Sequence, residues 1–559
     1  MPFHFRSLVA LAAAVACLSA APPGRARQQP EAYDLLIVNG TLVDGTGRPG
    51  IAADLAVSGG RIARIGRLPG VSAKAVIDAK GRSVAPGFID VHTHADGPVR
   101  TPLVENFVRM GVTTLVAGNC GDSAESVASE LQAITREGLA VNFSTLVGHN
   151  TVRAAVMGAA GRAPTPAELE RMKALVAKAM REGAIGLSTG LQYVPGQYAE
   201  RGEIIELAKV AARAGGLYAS HMRNEGTRVA EAVAETIAIG EAASCPVQVS
   251  HLKIDSPNRW GTSQALLDAI ASARRRGVDV RADQYAYTAG SAGLGIRFPG
   301  WALEGGRPAI EARLRDEATW RRVKDGMKAL LAERGFTDLA WAVIALDRDD
   351  PSLNGLTVKQ AAARLLGKDD LEAQLETARR LMLGSEPQMV YHFMSEDDVK
   401  RIMRDPNVMI ASDSGVLRPG EGTPHPRGYG NTARVLGRYV REQAVITLEE
   451  AVRKMTSLPA GHFGFARRGE LREGWAADLV VFDPEKVRDP ATFEQPHHYA
   501  AGFEHVVVNG VMVVKDGVVT GARPGQVLRR EAGVSDAGSQ GAGTGGRQEE
   551  SGENAPVLR

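Results

Sequence analysis

The sequence predicts an α/β protein: a (β/α)8 TIM-like barrel with a small β-sandwich formed by the N- and C-terminal segments. Three observations support this. Eight short apolar runs alternate with stretches of helical pattern, as in β/α units around a parallel sheet. Apolar runs separated by Asn-Gly or Gly-Gly hairpin signals precede the first of the eight and return after the last. Most of the eight runs end at a His, Cys or Asp.

Composition favours a large globular protein that binds small molecules. The chain has 559 residues, of which 44% are hydrophobic, so it exceeds one ordinary domain. Its formal charge is +2 with acidic and basic residues mixed, which gives no indication of nucleic acid or an anionic membrane surface as partner. No run after the N-terminal segment is long and apolar enough for a stable membrane span. The sequence leaves the oligomeric state open.

Residues 1–31 are typical of a signal peptide and linker. Arg6 supplies the positive charge, and Leu8 to Ala20 is an apolar stretch too short to span a bilayer. We therefore expect export, to the periplasm or the medium. Cys17 could take a lipid anchor, although Ala14 rather than Leu stands three residues before it. The cleavage site is not defined.

The two ends of the mature chain share a β pattern. Residues 32–85 form the first part of the predicted sandwich and residues 465–525 the second. Leu35 to Gly40 and Val506 to Gly510 both show an apolar run followed by Asn-Gly. The Gly, Ser, Glu and Arg bias of residues 526–559 predicts a disordered tail.

Residues 86–464 form the predicted barrel. Thr165 to Glu168 is a capping box that opens a helix ending before Gly183, and Thr447 opens another. An insertion at about residues 288–390, with helical content at Ile310 to Glu333, leaves the C-terminal end of the seventh strand and is placed to cover the site. The eight strands are predicted near 88–94, 113–119, 142–148, 184–190, 217–221, 247–251, 279–285 and 408–413.

The stretch Pro86 to Asp96 ends in His92-Thr93-His94. Alternate residues of a strand face the same side, so both imidazoles suit one metal, although an isolated pair of this kind fits a buried structural role equally well. Side chains at the C-terminal ends of barrel strands converge on one mouth. Imidazole and thiolate there favour Zn²⁺ with an open position for water. The residues that share this placement are His92, His94, Cys120, His221, His251 and Asp413.

These motifs resemble the D-aminoacylase (N-acyl-D-amino-acid deacylase) branch of the amidohydrolase superfamily. The resemblance rests on Gly87 to Asp96, Gly118 to Gly121, the two His-bearing strands and Ala411 to Gly415, and it extends over about residues 33–525. It implies a metal-dependent hydrolase barrel that cleaves the amide bond of N-acyl-D-amino acids. It also implies one tight zinc site at Cys120, His221 and His251, with His92 and His94 at a second, weaker position.

Asp413 is the candidate acid–base residue. It would take a proton from the attacking water and deliver it to the leaving amine. Taken alone, Asp-Ser-Gly is also typical of a turn or helix cap, and only its place after an apolar strand favours catalysis.

An N-acyl amino acid has a free α-carboxylate, which needs cationic or phenolic partners. The resemblance implies Lys253, Tyr285, Ser291 and Arg427 for that role. Arg297, six residues after Ser291, resembles the branch that acts on acidic D-residues (D-Glu or D-Asp). A solvated lid residue is the equal alternative at this position.

Three rival interpretations remain. The first is a cyclic-amide hydrolase of the dihydroorotase or hydantoinase type. Enzymes of that type resemble one another in having a carboxylated lysine on the fourth strand, and Gly186 to Gly190 contains no lysine. A D-residue dipeptidase is a further alternative. An exported binding protein without activity would be expected to lack a ligand or Asp413. The acyl group, the strictness for D over L and the occupancy of the second metal position stay open.

Overall fold

Segments from both ends of the chain build one sheet in the computed structural model, which describes residues 32–531. Ser83–Pro86 pairs antiparallel with Leu479–Phe482 and so joins the two ends. The nine strands of the predicted β-sandwich are joined by hydrogen bonds into one sheet. Leu35 and Val507 pack in the same buried cluster of this sheet. The strands are Tyr33–Leu42, Ile51–Ser58, Arg61–Gly66, Ala73–Asp78, Ser83–Pro86, Leu479–Phe482, Phe503–Val508, Val511–Lys515 and Val518–Val519.

Between these segments the chain forms the predicted (β/α)8 barrel. Neighbouring strands are parallel, and the ring closes where Thr93–His94 pairs with Ser414–Gly415. The Asp413 amide also donates to the His92 carbonyl oxygen at 2.9 Å. The barrel strands are, in order, Phe88–Asp90, Val112–Ala117, Asn142–Thr145 continued by Val147–Gly148, Gly186–Gly190, Leu217–His221, Val247–Val249, Val280–Gln284 and Val408–Ile410.

Several barrel strands end earlier than the sequence predicts. The sixth stops at Val249 rather than at His251, and the eighth at Ile410 rather than at Asp413. Cys120, His251 and Asp413 have φ values of 54°, 35° and 53°, in the left-handed region, which ends an extended ladder. A hydrophobic pattern contains no signal for a single left-handed residue.

The helices carry the expected caps. Thr165 and Glu168 form the predicted capping box. The helical content predicted at Ile310 to Glu333 is divided between two helices, because the Asp316 side chain accepts from the Thr319 amide at 2.8 Å and starts the second one. The helices outside the insertion are Glu105–Val108, Val127–Glu137, His149–Met157, Pro166–Glu182, Arg201–Arg213, Val229–Ala243, Ser263–Arg275, Glu396–Arg404, Arg427–Arg434, the π-helix Val435–Glu442, Leu448–Met455 and Ser457–Phe463.

The insertion after the seventh barrel strand has its own sheet and core. Trp320 and Met327 belong to its separate hydrophobic cluster. Arg297 and Tyr391 of the insertion line a cavity together with His221 and His251, so the insertion covers the C-terminal mouth of the barrel. Its elements are strands Gly290–Gly293, Ala342–Leu346 and Gln388–Tyr391 and helices Arg307–Arg315, Glu317–Arg334, Val358–Leu366 and Leu371–Leu383.

The start of the predicted disordered tail is bonded to the barrel. The Phe143 amide donates to the Gln526 carbonyl oxygen at 2.9 Å, and the Leu528 amide donates to the Phe143 carbonyl oxygen at 2.8 Å. The prediction was therefore wrong for residues 526–531, because a biased composition does not reveal pairing with an existing strand. The predicted signal peptide and the tail after residue 531 lie outside the described residues. Among residues 32–531, no helix is long and apolar enough to cross a membrane.

Candidate metal centre

Three predicted metal ligands meet at the C-terminal mouth of the barrel. Cys120 follows the second strand, His221 ends the fifth and His251 follows the sixth, and all three are buried. Cys120 Sγ lies 3.7 Å from His221 Nδ1 and 3.5 Å from His251 Nε2, and the two nitrogens are 2.8 Å apart. One thiolate and two imidazoles thus share one small volume.

The loop that presents Cys120 is held under backbone strain. A non-glycine residue in the left-handed region costs of the order of 1–3 kcal/mol and persists only where its surroundings hold it. Asn119 stabilises this loop, because its Nδ2 donates to the Val116 carbonyl oxygen at 2.9 Å. Gly190 lets the fourth strand pack against this loop. A Cβ at position 190 would lie 1.9 Å from the Cys120 carbonyl oxygen, so only glycine permits the two backbones to approach so closely.

A second group of donors lies beside the first. His92 and His94 are not in one continuous strand, since the first strand ends at Asp90, yet both imidazoles face Asp413. Asp413 Oδ1 is 3.0 Å from His94 Nε2 and 3.4 Å from His92 Nε2. His92 Nε2 is also 3.2 Å from Cys120 Sγ, so Cys120 is shared by the two groups. His92 is fully buried, whereas the His94 side chain is 38% exposed.

The centre favours ionised Cys120 and Asp413. Burial alone would raise the pKa of Cys120, but His92 and His251 lower it well below its ordinary value. Burial would likewise raise the pKa of Asp413, and Arg427 and the neighbouring histidines lower it well below the usual carboxyl range. The two anionic groups therefore face a cluster of imidazoles, the arrangement that a cation would complete.

The predicted substrate residues surround this centre. An inner cavity is lined by Lys253, Tyr285 and Arg297, and an outer cavity of about 530 Å³ by Arg427; both include Ser291 and Asp413. The Arg427 guanidinium lies 4.6 Å from the Tyr285 ring centre and makes a 2.8 Å ion pair with Asp413 Oδ2. Burial raises the pKa of Tyr285 to about 12, so this phenol remains a neutral donor.

Arg297 is buried, which contradicts the solvated alternative. It is 6% exposed and lies over the Tyr391 ring, 4.5 Å from its centre, with Trp341 at 5.2 Å. Within residues 32–531, Arg297 makes no ion pair, although Asp255 attracts its charge from farther away, and its Nε has no hydrogen-bond partner. Burial is the main cause that lowers the pKa of Arg297. The guanidinium charge is therefore buried without an ion pair in the described part of the chain.

Sequence reasoning missed three residues of the centre. Glu225 contacts His251 and Lys253, Asp283 lies 3.3 Å from His92 Nδ1, and the Tyr193 ring is 4.5 Å from the His221 ring. Two of them had a signal in the sequence. Asp283 is an acidic residue near the C-terminal end of the predicted seventh strand, and Glu225 follows the ligand His221 by four residues. Tyr193 had none, because its loop brings it to the centre only in three dimensions.

The donor set fits zinc. In a tetrahedral site with Zn–N of about 2.0–2.1 Å and Zn–S of about 2.3 Å, donor atoms lie roughly 3.3–3.6 Å apart. The two sulfur–nitrogen separations are close to this range, and the nitrogen pair is somewhat closer. A thiolate with two imidazoles is also the chemistry that zinc prefers over calcium or magnesium. Cys120, His221 and His251 would hold the ion.

The chain is similar to known proteins over nearly its whole described length. The family model described as the amidohydrolase family matches residues 75–514. The chain belongs to the amidohydrolase family. This amidohydrolase is 39% identical to a D-aminoacylase from Alcaligenes xylosoxydans xylosoxydans, over 89% of the chain and 98% of that protein. It is 38% identical to an N-acyl-D-glutamate deacylase from the same organism, over 91% of the chain and 99% of that protein.

A solved structure is similar to the same extent. The N-acyl-D-glutamate deacylase from Bordetella bronchiseptica, complexed with zinc and a phosphonate inhibitor that mimics the tetrahedral intermediate, superposes with a TM-score of 0.76. It is 38% identical, and the match covers 89% of this amidohydrolase and all of that chain. The resemblance stated from the motifs is thereby confirmed at the level of the family.

Proposed function

We propose that this amidohydrolase is a zinc-dependent hydrolase of N-acyl-D-amino acids that releases a carboxylate and a free D-amino acid and favours D-glutamate or D-aspartate. One observation supports the acidic preference: Arg297 is buried beside the zinc donors without a carboxylate partner in the described part of the chain. Overall identity does not decide the side chain, because the D-aminoacylase and the N-acyl-D-glutamate deacylase are equally similar. The arginine does.

The chemistry follows from the groups around the donors. Zinc, when bound, polarises the amide carbonyl and lowers the pKa of water toward about 7. Asp413 Oδ1 belongs to the donor group of His92, His94 and Cys120, beside the predicted zinc ligands, where it can accept a proton from the attacking water. As the water oxygen bonds to the carbonyl carbon and the C–N bond breaks, Asp413 returns the proton to the leaving nitrogen. One carboxylate thus serves as base and then as acid.

Substrate anchoring changes the surroundings of Asp413. In the structure Arg427 faces Asp413 at 2.8 Å, but the geometry does not make a hydrogen bond, so its Nη1 remains available to another oxygen. A substrate α-carboxylate bound by Arg427, Lys253 and the Tyr285 phenol would weaken the ion pair between Arg427 and Asp413. The pKa of Asp413 would then rise toward a value better suited to proton transfer.

Two separate anchors fix the stereocentre. Arg297 would hold the side-chain carboxylate while Lys253, Tyr285, Ser291 and Arg427 hold the α-carboxylate. The inner cavity has a volume of about 20 Å³, roughly that of one water, because Arg297 and its aromatic neighbours fill it. Binding of an acidic side chain therefore requires a small outward movement of the insertion or of Arg297.

We also infer export to the periplasm or the medium from the sequence pattern of residues 1–31. Fractionation of cells that express the full chain tests this, and recovery of uncleaved protein in the cytoplasm would contradict it.

A kinetic panel on zinc-loaded protein tests the activity. N-acetyl-D-glutamate and N-acetyl-D-aspartate should have kcat/KM at least tenfold above N-acetyl-D-leucine, and the L-isomers should be turned over far more slowly. A wild-type preference for N-acetyl-D-leucine would contradict the assignment of Arg297, and turnover of hydantoins alone would contradict the reaction class.

A further inference from the structure

Glu225 is a buried carboxylate between the zinc donors and the substrate anchors. It is 3% exposed. Its Oε1 lies 2.9 Å from His251 Nδ1 and 2.7 Å from Lys253 Nζ, and its Oε2 lies 3.8 Å from His221 Nε2. It therefore contacts two metal donors and one cationic anchor at once.

We propose that Glu225 is a positioning residue for both halves of the site. It keeps the proton of His251 on Nδ1, which leaves Nε2 free to bind the metal, and it holds the Lys253 ammonium at the wall of the substrate cavity. The metal half of this inference stands on the donor geometry, whereas the anchor half rests on the proposed function.

His251 can bind a metal in only one tautomer. Its Nε2 faces Cys120 Sγ at 3.5 Å and His221 Nδ1 at 2.8 Å, so this is the nitrogen that would bind zinc and must carry no proton. A neutral imidazole then has its single N–H at Nδ1. Glu225 can accept from that N–H, which fixes the ring and makes it a more basic ligand.

Lys253 competes with Glu225 for the Nδ1 atom of His251. Its Nζ lies 2.8 Å from His251 Nδ1. An ammonium only donates, so a bond from Lys253 to Nδ1 would place the imidazole proton on Nε2 and block the metal. Glu225 removes this conflict by accepting from both groups.

Glu225 also stabilises the charge of Lys253. Lys253 is 4% exposed, and a buried ammonium needs a counter-ion. Glu225 supplies it, and the His251 carbonyl oxygen accepts from the same Nζ at 3.1 Å. With two contacts on the barrel side, the ammonium is held beside Tyr285 and Ser291, which line the same cavity. Loss of the Glu225 charge would leave Lys253 free to turn away from this wall of the cavity.

Glu225→Gln tests both halves, because it keeps the volume and removes the charge. Competition with a chelator should show zinc affinity weakened about 10–100-fold, the usual effect of removing a partner of a metal-binding histidine. At saturating zinc, KM for N-acetyl-D-glutamate should rise about tenfold with kcat changed only a few-fold. Glu225→Asp, which retains the charge, should recover part of both losses, and it serves as the test if the glutamine variant does not fold.

Glu203→Gln is the matched control. Glu203 is also buried, at 5% exposure, and also contacts a histidine, His149, at 2.8 Å, but it touches no zinc donor. The same substitution there should leave zinc affinity and KM unchanged in the folded protein.

Each outcome decides one half. Unaltered zinc affinity in Glu225→Gln overturns the metal half, and an unaltered KM at saturating zinc overturns the anchor half. If wild-type protein hydrolyses none of the N-acyl-D-amino acids, the proposed function fails, while the zinc competition still tests Glu225.

Discussion

Replacement of Arg297 by leucine tests the substrate side chain most directly. Arg297 lies on the insertion, 6% exposed, with three aromatic rings around its guanidinium. Leucine removes the charge and retains an apolar side chain in this aromatic cage. The variant should lose activity on acidic substrates and gain activity on N-acetyl-D-leucine.

The magnitude follows from the burial of the pair. Truncating one partner of a desolvated charge pair costs about 2–5 kcal/mol, so kcat/KM on N-acetyl-D-glutamate should fall roughly 30- to 5,000-fold. The stability of the fold should not fall in the same way when Arg297 is replaced. Arg297 has no ion-pair partner among residues 32–531, so its removal should leave thermal stability unchanged or slightly higher.

The assay compares kcat/KM for N-acetyl-D-glutamate and N-acetyl-D-leucine in wild type and variant, with melting temperature as the check on folding. Arg348→Leu is the control, because Arg348 lines the outer cavity but is exposed. A small and parallel change on both substrates in Arg297→Leu would refute a contact between this guanidinium and the substrate.

Three further predictions concern the metal, the proton and the fold. Cys120→Ala should reduce zinc from about one per chain to a small fraction and abolish activity; metal analysis showing full zinc would remove Cys120 from the site. Asp413→Asn should keep its zinc and lower turnover by about a hundredfold or more, so wild-type rates would contradict its role. Glu203→Gln should destabilise the fold at pH 7 by about 3–5 kcal/mol, since Arg153 and His149 lose a buried partner. Burial would raise the pKa of Glu203, but these two partners lower it below its ordinary value, so the wild-type advantage is present above about pH 4.5 and shrinks as pH falls below that value. Chemical denaturation at pH 7 and pH 4 measures this, and an equal difference at both pH values would contradict it.

The barrel could be predicted from the sequence because its signals are local and repeated. Short strand-like runs alternate with helical stretches along the chain, and Thr165 starts its helix with a capping box that the sequence shows. The donors His221 and His251 stand at strand ends, where barrel geometry alone brings them to one mouth.

Other features depend on contacts that no local pattern records. The left-handed backbone at Cys120 and Asp413 is maintained by neighbouring loops, and the close approach at Gly190 appears only when the strands pack. Glu225 stands four residues after His221, but the sequence does not show that it is buried, because glutamate is mostly exposed in proteins. Its role arises from two strand ends that place His251 and Lys253 beside it.

The burial of Arg297 could not be decided from the sequence either. It lies in a short 3₁₀ segment, Leu294–Arg297, whose position depends on how the insertion packs over the barrel. Only the rings of Trp341, Tyr391 and Phe393, which lie in or next to later strands, show that the arginine faces inward.

Metal-dependent release of glutamate tests the central claim most directly. Metal-free protein is compared with protein reconstituted with one equivalent of zinc, and free glutamate is measured from N-acetyl-D-glutamate and, separately, from N-acetyl-L-glutamate. The proposed function predicts rapid release from the D-isomer only after zinc is added. Equal release from both isomers, or release that does not depend on zinc, would contradict it.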